Sequence, residues 1–285
     1  MSEPGSNFSG APHSHPRRRF LEGSPRLHYL EWNPRGAEAL ILLHGNSANV
    51  WWWESFAALM PPRFHIIAID QRGHGDSEWV RPPAYSPASY ADDLARFIAE
   101  RGLKRPVVIG HSMGGVSVLA FLERYPEHAR AAVAIDVAVI STRPRDRFLR
   151  RLKLLPTVVY PDLATAKARF RLMPSEGAIA PAMLAEIAEK SIDRTEDGGY
   201  TLKFDRECFL GGDGIEVLGA IRATRTPLLL IRGELSKIMT AEDSQRALES
   251  NPRARLEVIA GAHHHLPLER PDALAEIIQD FVGSL

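Results

Sequence analysis

Short apolar runs recur along the chain at 39–43, 65–69, 106–109, 131–135, 227–231 and 256–259. The first, Ala39-Leu40-Ile41-Leu42-Leu43, is uncharged throughout. A strand with one wet face alternates polar and apolar residues. Continuous Val/Ile/Leu runs instead require a parallel sheet covered on both faces. Helical spacing fills the gaps between the runs. Tyr90, Leu94, Phe97 and Ile98 fall at i, i+4, i+7 and i+8. Leu274, Ile277, Ile278 and Phe281 follow Pro271, a favoured first-turn residue. Strands alternating with helices imply βαβ units and a doubly wound, mostly parallel sheet. Residues 18–22 and Leu27–Trp32 alternate more, which fits an antiparallel hairpin at the sheet edge.

The alternation breaks at 141–215. Phe148, Leu152 and Leu155 stand at helical spacing, followed by helical stretches at 164–172 and 181–192 and a turn signal at Asp197-Gly198-Gly199. The pattern predicts a helical insertion, a cap or lid. Residues 18–140 and 216–285 then form one core domain, and 1–17 a disordered tail. At 285 residues, the chain exceeds the ~250 that a single α/β domain often needs.

Thirty-five Lys and Arg balance thirty-five Asp and Glu, which argues against a whole-protein grip on nucleic acid. Cys208 is the one cysteine, so no internal disulfide framework exists, as suits a reducing cytoplasm. Arg17-Arg18-Arg19-Phe20-Leu21 looks like an export signal, but Glu22-Gly23-Ser24-Pro25-Arg26 follows where an apolar core is needed. No apolar run reaches the ~20 residues of a membrane span. The expectation is a cytoplasmic monomer or homodimer with no membrane or nucleic-acid partner. Residues 143–153 are locally basic, with Arg143, Arg145, Arg147, Arg150, Arg151 and Lys153. A solvated helix face explains them most simply, and steering of an anionic substrate is the sharper alternative.

Gly110-His111-Ser112-Met113-Gly114 follows the run 106–109 and opens a helical stretch. This is the G-x-S-x-G nucleophile elbow in its required context. The elbow holds its serine in a strained turn, and flanking side chains would collide with the adjoining strand and helix. Ser112 is thereby presented at a helix N-terminus, where backbone N–H groups can stabilise an oxyanion.

On these residues the chain resembles the α/β-hydrolase superfamily over about 18–285, its serine-esterase-like branch with a helical cap. The resemblance implies an eight-stranded, mostly parallel sheet with helices on both faces. Leu43-His44-Gly45-Asn46 resembles the loop after the third strand, which implies oxyanion-hole donors from the backbone of Asn46 and Met113. Asp70-Gln71-Arg72-Gly73-His74-Gly75-Asp76-Ser77 is similar to the loop after the fourth strand and reads as structural, an Asp/Arg network with glycine turns. Ala262-His263-His264-His265, with Glu269 and Pro271 after it, resembles the loop of the catalytic histidine and places that role on His264. His263 stands where relatives have glycine. His263 and His265 read as loop neighbours, because consecutive side chains diverge and do not converge on a metal ion.

Most relatives carry the triad acid three residues after the glycine of the next-to-last strand. Here Ser236 occupies that place after Gly233, and a serine cannot carry the charge. Some relatives take the acid from the end of the preceding core strand. Asp136 ends the run 131–135, at the strand end where open α/β sheets meet their ligands. Asp136 is preferred, with Glu234 as the alternative.

A serine nucleophile supports acyl transfer, unlike the aspartate of haloalkane dehalogenases and epoxide hydrolases. The expectation is a carboxylesterase without cofactor or metal that acts on a small-molecule ester. Other serine hydrolases of the fold (a C–C bond hydrolase, a thioesterase, an aminopeptidase) and a non-enzymatic ligand-binding receptor are the alternatives. Trp51-Trp52-Trp53 follow the oxyanion loop and are expected mainly in the core. Trp51 and His111 are the candidate substrate-binding residues.

Overall fold

The structure is a computed structural model that describes residues 15–140, 142–209 and 215–285. Its strands are β1 (Arg17–Leu21), β2 (Leu27–Trp32), β3 (Glu38–Leu43), β4 (Phe64–Ile69), β5 (Val107–His111), β6 (Ala131–Ile135), β7 (Ile192–Arg194), β8 (Tyr200–Leu202), β9 (Leu228–Gly233) and β10 (Arg255–Ile259). Eight of them form one sheet in the order β1-β2-β4-β3-β5-β6-β9-β10. β2 pairs antiparallel with both β1 and β4, and every other pairing in that sheet is parallel.

The burial pattern explains the continuous apolar runs. Ile41, Leu43, Ile67, Ile69 and Val108 point into one hydrophobic layer. Their neighbours Leu40, Leu42, Ile66, Ala68, Val107 and Ile109 point into the other. Helices Pro87–Glu100 and Met113–Arg124 cover the first face with Leu94, Phe97, Val118 and Phe121. Helices Glu54–Leu59 and Pro271–Gly283 cover the second with Phe56, Leu274, Ile278 and Phe281. Side chains of period two buried on both faces favour apolar residues at successive positions of these runs.

The two edges differ. β1 exposes Arg17 to Phe20, and β10 exposes Arg255 and Val258. Charged side chains blunt an unpaired edge. The arginine triplet that imitates an export signal is therefore an edge strand. The expected tail falls largely on 1–14, outside the described residues, and Arg17 already belongs to β1.

Between β6 and β9 lie helices Arg143–Lys153, Leu163–Arg169 and Pro181–Lys190. One element there differs from the sequence expectation. β7 and β8 pair as a separate antiparallel hairpin around the Asp197-Gly198-Gly199 turn. Ile192, expected at a helix end, instead begins β7. The return segment is tied to the loop after β4: Gly75 N–H donates to the Lys203 carbonyl at 2.8 Å, and Asp205 N–H to the Gly73 carbonyl at 2.7 Å. That loop is otherwise held by Asp70, which accepts from Val50 N–H at 2.8 Å, His28 Nδ1 at 2.7 Å and Asp76 N–H at 2.9 Å. Its Arg72 grips Asp93 with two nitrogens. His28, Asp70 and Asp76 could geometrically face a cation, but Arg18 and Lys203 already pair with Asp76. No described helix is long and apolar enough to cross a membrane.

Candidate active site

The sheet register positions the site. His111 is opposite Ile135, and Ile135 opposite Ile231, so β5 and β6 end at one level while β9 runs two residues further, to Gly233. Ser112 and Asp136 are the next residues on adjacent strands. Ser112 N–H donates to the Ile135 carbonyl at 2.8 Å, and Asp136 N–H to the Ile231 carbonyl at 2.7 Å. The sheet order reverses between β3 and β5, and at such a switch point the loops part to leave a crevice.

Ser112 has φ 53° and ψ −116° as it caps helix Met113–Arg124. A non-glycine residue in that region stores roughly 1–3 kcal/mol of strain, held by its surroundings. Gly114 is part of what permits the turn. A side chain there would overlap the backbone of Leu43 and His44. Asp136 also has positive φ, 48°, a conformation that a short polar side chain tolerates.

Three loops bring Ser112, His264 and Asp136 together. The Ser112 hydroxyl donates to His264 Nε2 at 3.1 Å, across 152 residues. His264 Nδ1–H donates to Asp136 Oδ1 at 3.1 Å, a carboxylate partner that fixes the imidazole tautomer. Further donors serve Asp136. Gly233 N–H reaches Oδ2 at 2.9 Å, and the Ser236 hydroxyl reaches Oδ1 at 2.6 Å. The Ser236 oxygen in turn accepts from Ile238 N–H at 3.1 Å, which directs its proton to the carboxylate. The serine at the expected acid position thus donates to Asp136, just past the end of the neighbouring strand. Glu234 is exposed and instead accepts from Gly261 N–H at 2.8 Å.

Burial disfavours the charged form of both titratable members. It pushes the Asp136 carboxyl up to about 6, against the Ser236 and Gly233 donors that pull it down. It pushes the His264 imidazole down to about 3. Near neutral pH the pair is then a carboxylate beside a neutral imidazole, the state in which a histidine accepts a proton.

The loop carrying His264 is clamped from both sides. Glu269 accepts from His263 N–H at 2.9 Å and from His265 N–H at 2.8 Å. His263 turns to Glu269, while His265 Nε2–H donates to the Pro174 carbonyl at 2.7 Å. The three imidazoles thus have separate partners. The sequence assigns Glu269 no role of its own, although its fixed place after the histidine is visible there.

The loop after β3 lies against the elbow. A Cβ on Gly45 would stand 3.3 Å from Ser112 Cβ. His44 stiffens this loop, since Nδ1–H donates to the Gly45 carbonyl at 2.7 Å and Nε2 accepts from Gln71 N–H at 3.0 Å. Among the described residues neither the Asn46 nor the Met113 backbone N–H donates to a protein acceptor. The Asn46 side chain reaches the Cys208 carbonyl at 3.2 Å.

The tryptophans and His111 take different places around the site. Trp52, not Trp51, lies beside the imidazoles, with ring centroids 6.1 Å from His111 and 5.5 Å from His265. Trp53 packs in the core on Phe56, and Trp51 sits beneath Lys190 Nζ at 4.0 Å. Residues Val50–Trp53 form a 3-10 turn. Three residues per turn send successive indoles in three directions. His111 is buried, its Nε2–H donating to the His264 carbonyl at 2.8 Å, so it braces the histidine loop.

The alpha/beta hydrolase family profile matches residues 40–277. The chain belongs to the alpha/beta hydrolase family. It is 27% identical over 250 residues to the 2-(acetamidomethylene)succinate hydrolase of Mesorhizobium japonicum, covering 86% of this chain and 88% of that protein. It is 26% identical over 264 residues to a putative 2-succinyl-6-hydroxy-2,4-cyclohexadiene-1-carboxylate synthase of Bacillus subtilis, covering 88% and 93%. A crystal structure of E-2-(acetamidomethylene)succinate hydrolase superposes with a TM-score of 0.84 at 25% identity, over 94% of this chain and all of that one. This alpha/beta hydrolase thus matches these relatives over nearly their whole length.

Proposed function

We propose that this alpha/beta hydrolase is a carboxylesterase that cleaves small to medium esters through an acyl-enzyme intermediate. The observation that carries the reading is the relay from Ser112 Oγ through His264 to Asp136, both contacts at 3.1 Å. Ser112 Oγ attacks the ester carbonyl while His264 Nε2 takes its proton. The Asn46 and Met113 amides hold the oxyanion. As the tetrahedral intermediate collapses, the carbon–oxygen bond of the alcohol breaks and His264 returns the proton to it. A water then attacks the acyl-enzyme, with His264 again as base, and releases the acid and Ser112. Asp136 orients the imidazole and stabilises its charged form throughout. No cofactor enters these steps. The helices Arg143–Lys153, Leu163–Arg169 and Pro181–Lys190 and the β7–β8 hairpin act as a cap, joined to the core loops through Pro174, Lys203 and Asp205.

A second reading, amide rather than ester cleavage, draws support from the acetamido group in the name of the Mesorhizobium relative. The same nucleophile serves both. A panel of p-nitrophenyl esters of graded chain length, run beside acetamido compounds and a vinylogous diketone, separates ester, amide and C–C cleavage. Fastest turnover of esters supports the carboxylesterase, and turnover of the diketone alone would remove it.

Ser236 supplies a pH test. The hydroxyl stabilises the ionised Asp136, so Ser236→Ala raises the carboxyl further above about 6. Activity that needs the carboxylate is lost as pH falls through that value. The acid limb of kcat/KM is therefore expected to move to higher pH, with a several-fold loss at neutral pH. Ser236→Thr, which keeps the hydroxyl, is expected to restore the profile.

A further inference from the structure

The helix Arg143–Lys153 buries none of its described residues. Phe148 and Leu152 stand one turn apart on this helix and Leu155 follows its end, yet Phe148 is 51% exposed and Leu155 46%. The chain then runs on through Leu154, Val158 and Val159, exposed by 84%, 49% and 57%. A folded domain rarely leaves so many large apolar side chains in one exposed stretch unless the patch meets something.

The charge around the patch selects the partner. Residues 143–153 hold six basic side chains against one acidic residue, Asp146, in a chain with no net charge. Arg147 and Arg151 are exposed, and Lys153 pairs with Glu207 at 3.1 Å. The segment is anchored, because the Arg206 guanidinium donates to the Leu152 carbonyl at 2.9 Å and 3.1 Å. A second copy meeting this surface across a twofold axis would oppose like charges. A helix that is cationic along one side and apolar along another lies at the interface of an anionic bilayer, with the arginines among phosphates and the apolar residues below them.

We propose that residues 144–159 form a peripheral docking surface for an anionic phospholipid membrane. Such docking needs no spanning helix, so it departs from the sequence expectation of no membrane partner without contradicting the absence of an apolar span. It is independent of the chemistry at Ser112.

Vesicle co-sedimentation of the full-length protein tests this. With equimolar phosphatidylglycerol and phosphatidylcholine, partitioning is expected to exceed that on pure phosphatidylcholine by about tenfold or more and to weaken in high salt. Leu154→Asp with Val159→Asp is expected to abolish binding, while an unchanged melting temperature and unchanged turnover of a water-soluble ester report an intact fold. Arg147→Glu with Arg151→Glu is expected to remove the preference for phosphatidylglycerol. Ser112→Ala is expected to bind as the wild type does. Absence of vesicle binding, binding insensitive to the Leu154/Val159 change, or a dimer that this change dissociates in place of vesicle binding would overturn the proposal.

Discussion

Ser112→Ala is expected to lower kcat/KM towards the best ester by roughly 10⁴- to 10⁶-fold while leaving the melting temperature close to that of the wild type. The size follows from the role. Without Oγ no acyl-enzyme forms, and His264 has no proton to take. What persists is binding and the oxyanion donors, worth a small residual rate over water. The stability expectation follows from the local structure. Position 112 keeps its backbone bond to Ile135, the helix keeps its start, and the substituted alanine occupies the same positive φ as the serine. Steady-state rates with active-site titration of the wild type measure the ratio. A variant that retained full activity would remove Ser112 from the mechanism.

Asp136→Asn is expected to lower kcat by about 10³- to 10⁴-fold, and Glu234→Gln to change it by less than about twofold. The asparagine is nearly isosteric but cannot hold the charge that stabilises an imidazolium. Its NH2 group also competes for the bond that sets the His264 tautomer. Glu234 is exposed and bound to the backbone of Gly261, away from His264. Ser236 Oγ lies 2.6 Å from Asp136 Oδ1, so a carboxylate at 236 enters the same neighbourhood. Asp136→Asn combined with Ser236→Asp is expected to recover part of the lost rate. Equal losses in Asp136→Asn and Glu234→Gln would contradict this assignment.

The parts of the fold readable from sequence are those where one local pattern suffices. The runs at β3 to β6 and β9 are apolar because both faces are buried, whereas the run at 256–259 belongs to the edge strand β10, where Val258 is exposed. β7 and β8 escaped because Ile192-Asp193-Arg194 and Tyr200-Thr201-Leu202 are three residues each and none but Ile192 is fully buried. Only their turn, Asp197-Gly198-Gly199, left a mark. Ser112 and His264 sit in compact motifs. Asp136 and Ser236 do not, and their partnership depends on β6 lying beside β9 with Ile135 opposite Ile231, a register no linear spacing records. The positions of Trp51, Trp52 and Trp53 turned on a 3-10 turn that composition does not announce. Glu269 carried its signal openly as a fixed companion of the histidine, but its use of both carboxylate oxygens on flanking amides emerges only in three dimensions.

The central claim is that Ser112 is the nucleophile of a covalent mechanism driven by His264. Reaction of the wild type with a fluorophosphonate, followed by intact and peptide mass spectrometry, tests it most directly. The expected result is one adduct, mapped to Ser112, formed in parallel with loss of esterase activity and abolished in both Ser112→Ala and His264→Ala. Esterase activity that survives complete labelling, or inactivation with the adduct on a residue other than Ser112, would contradict the mechanism.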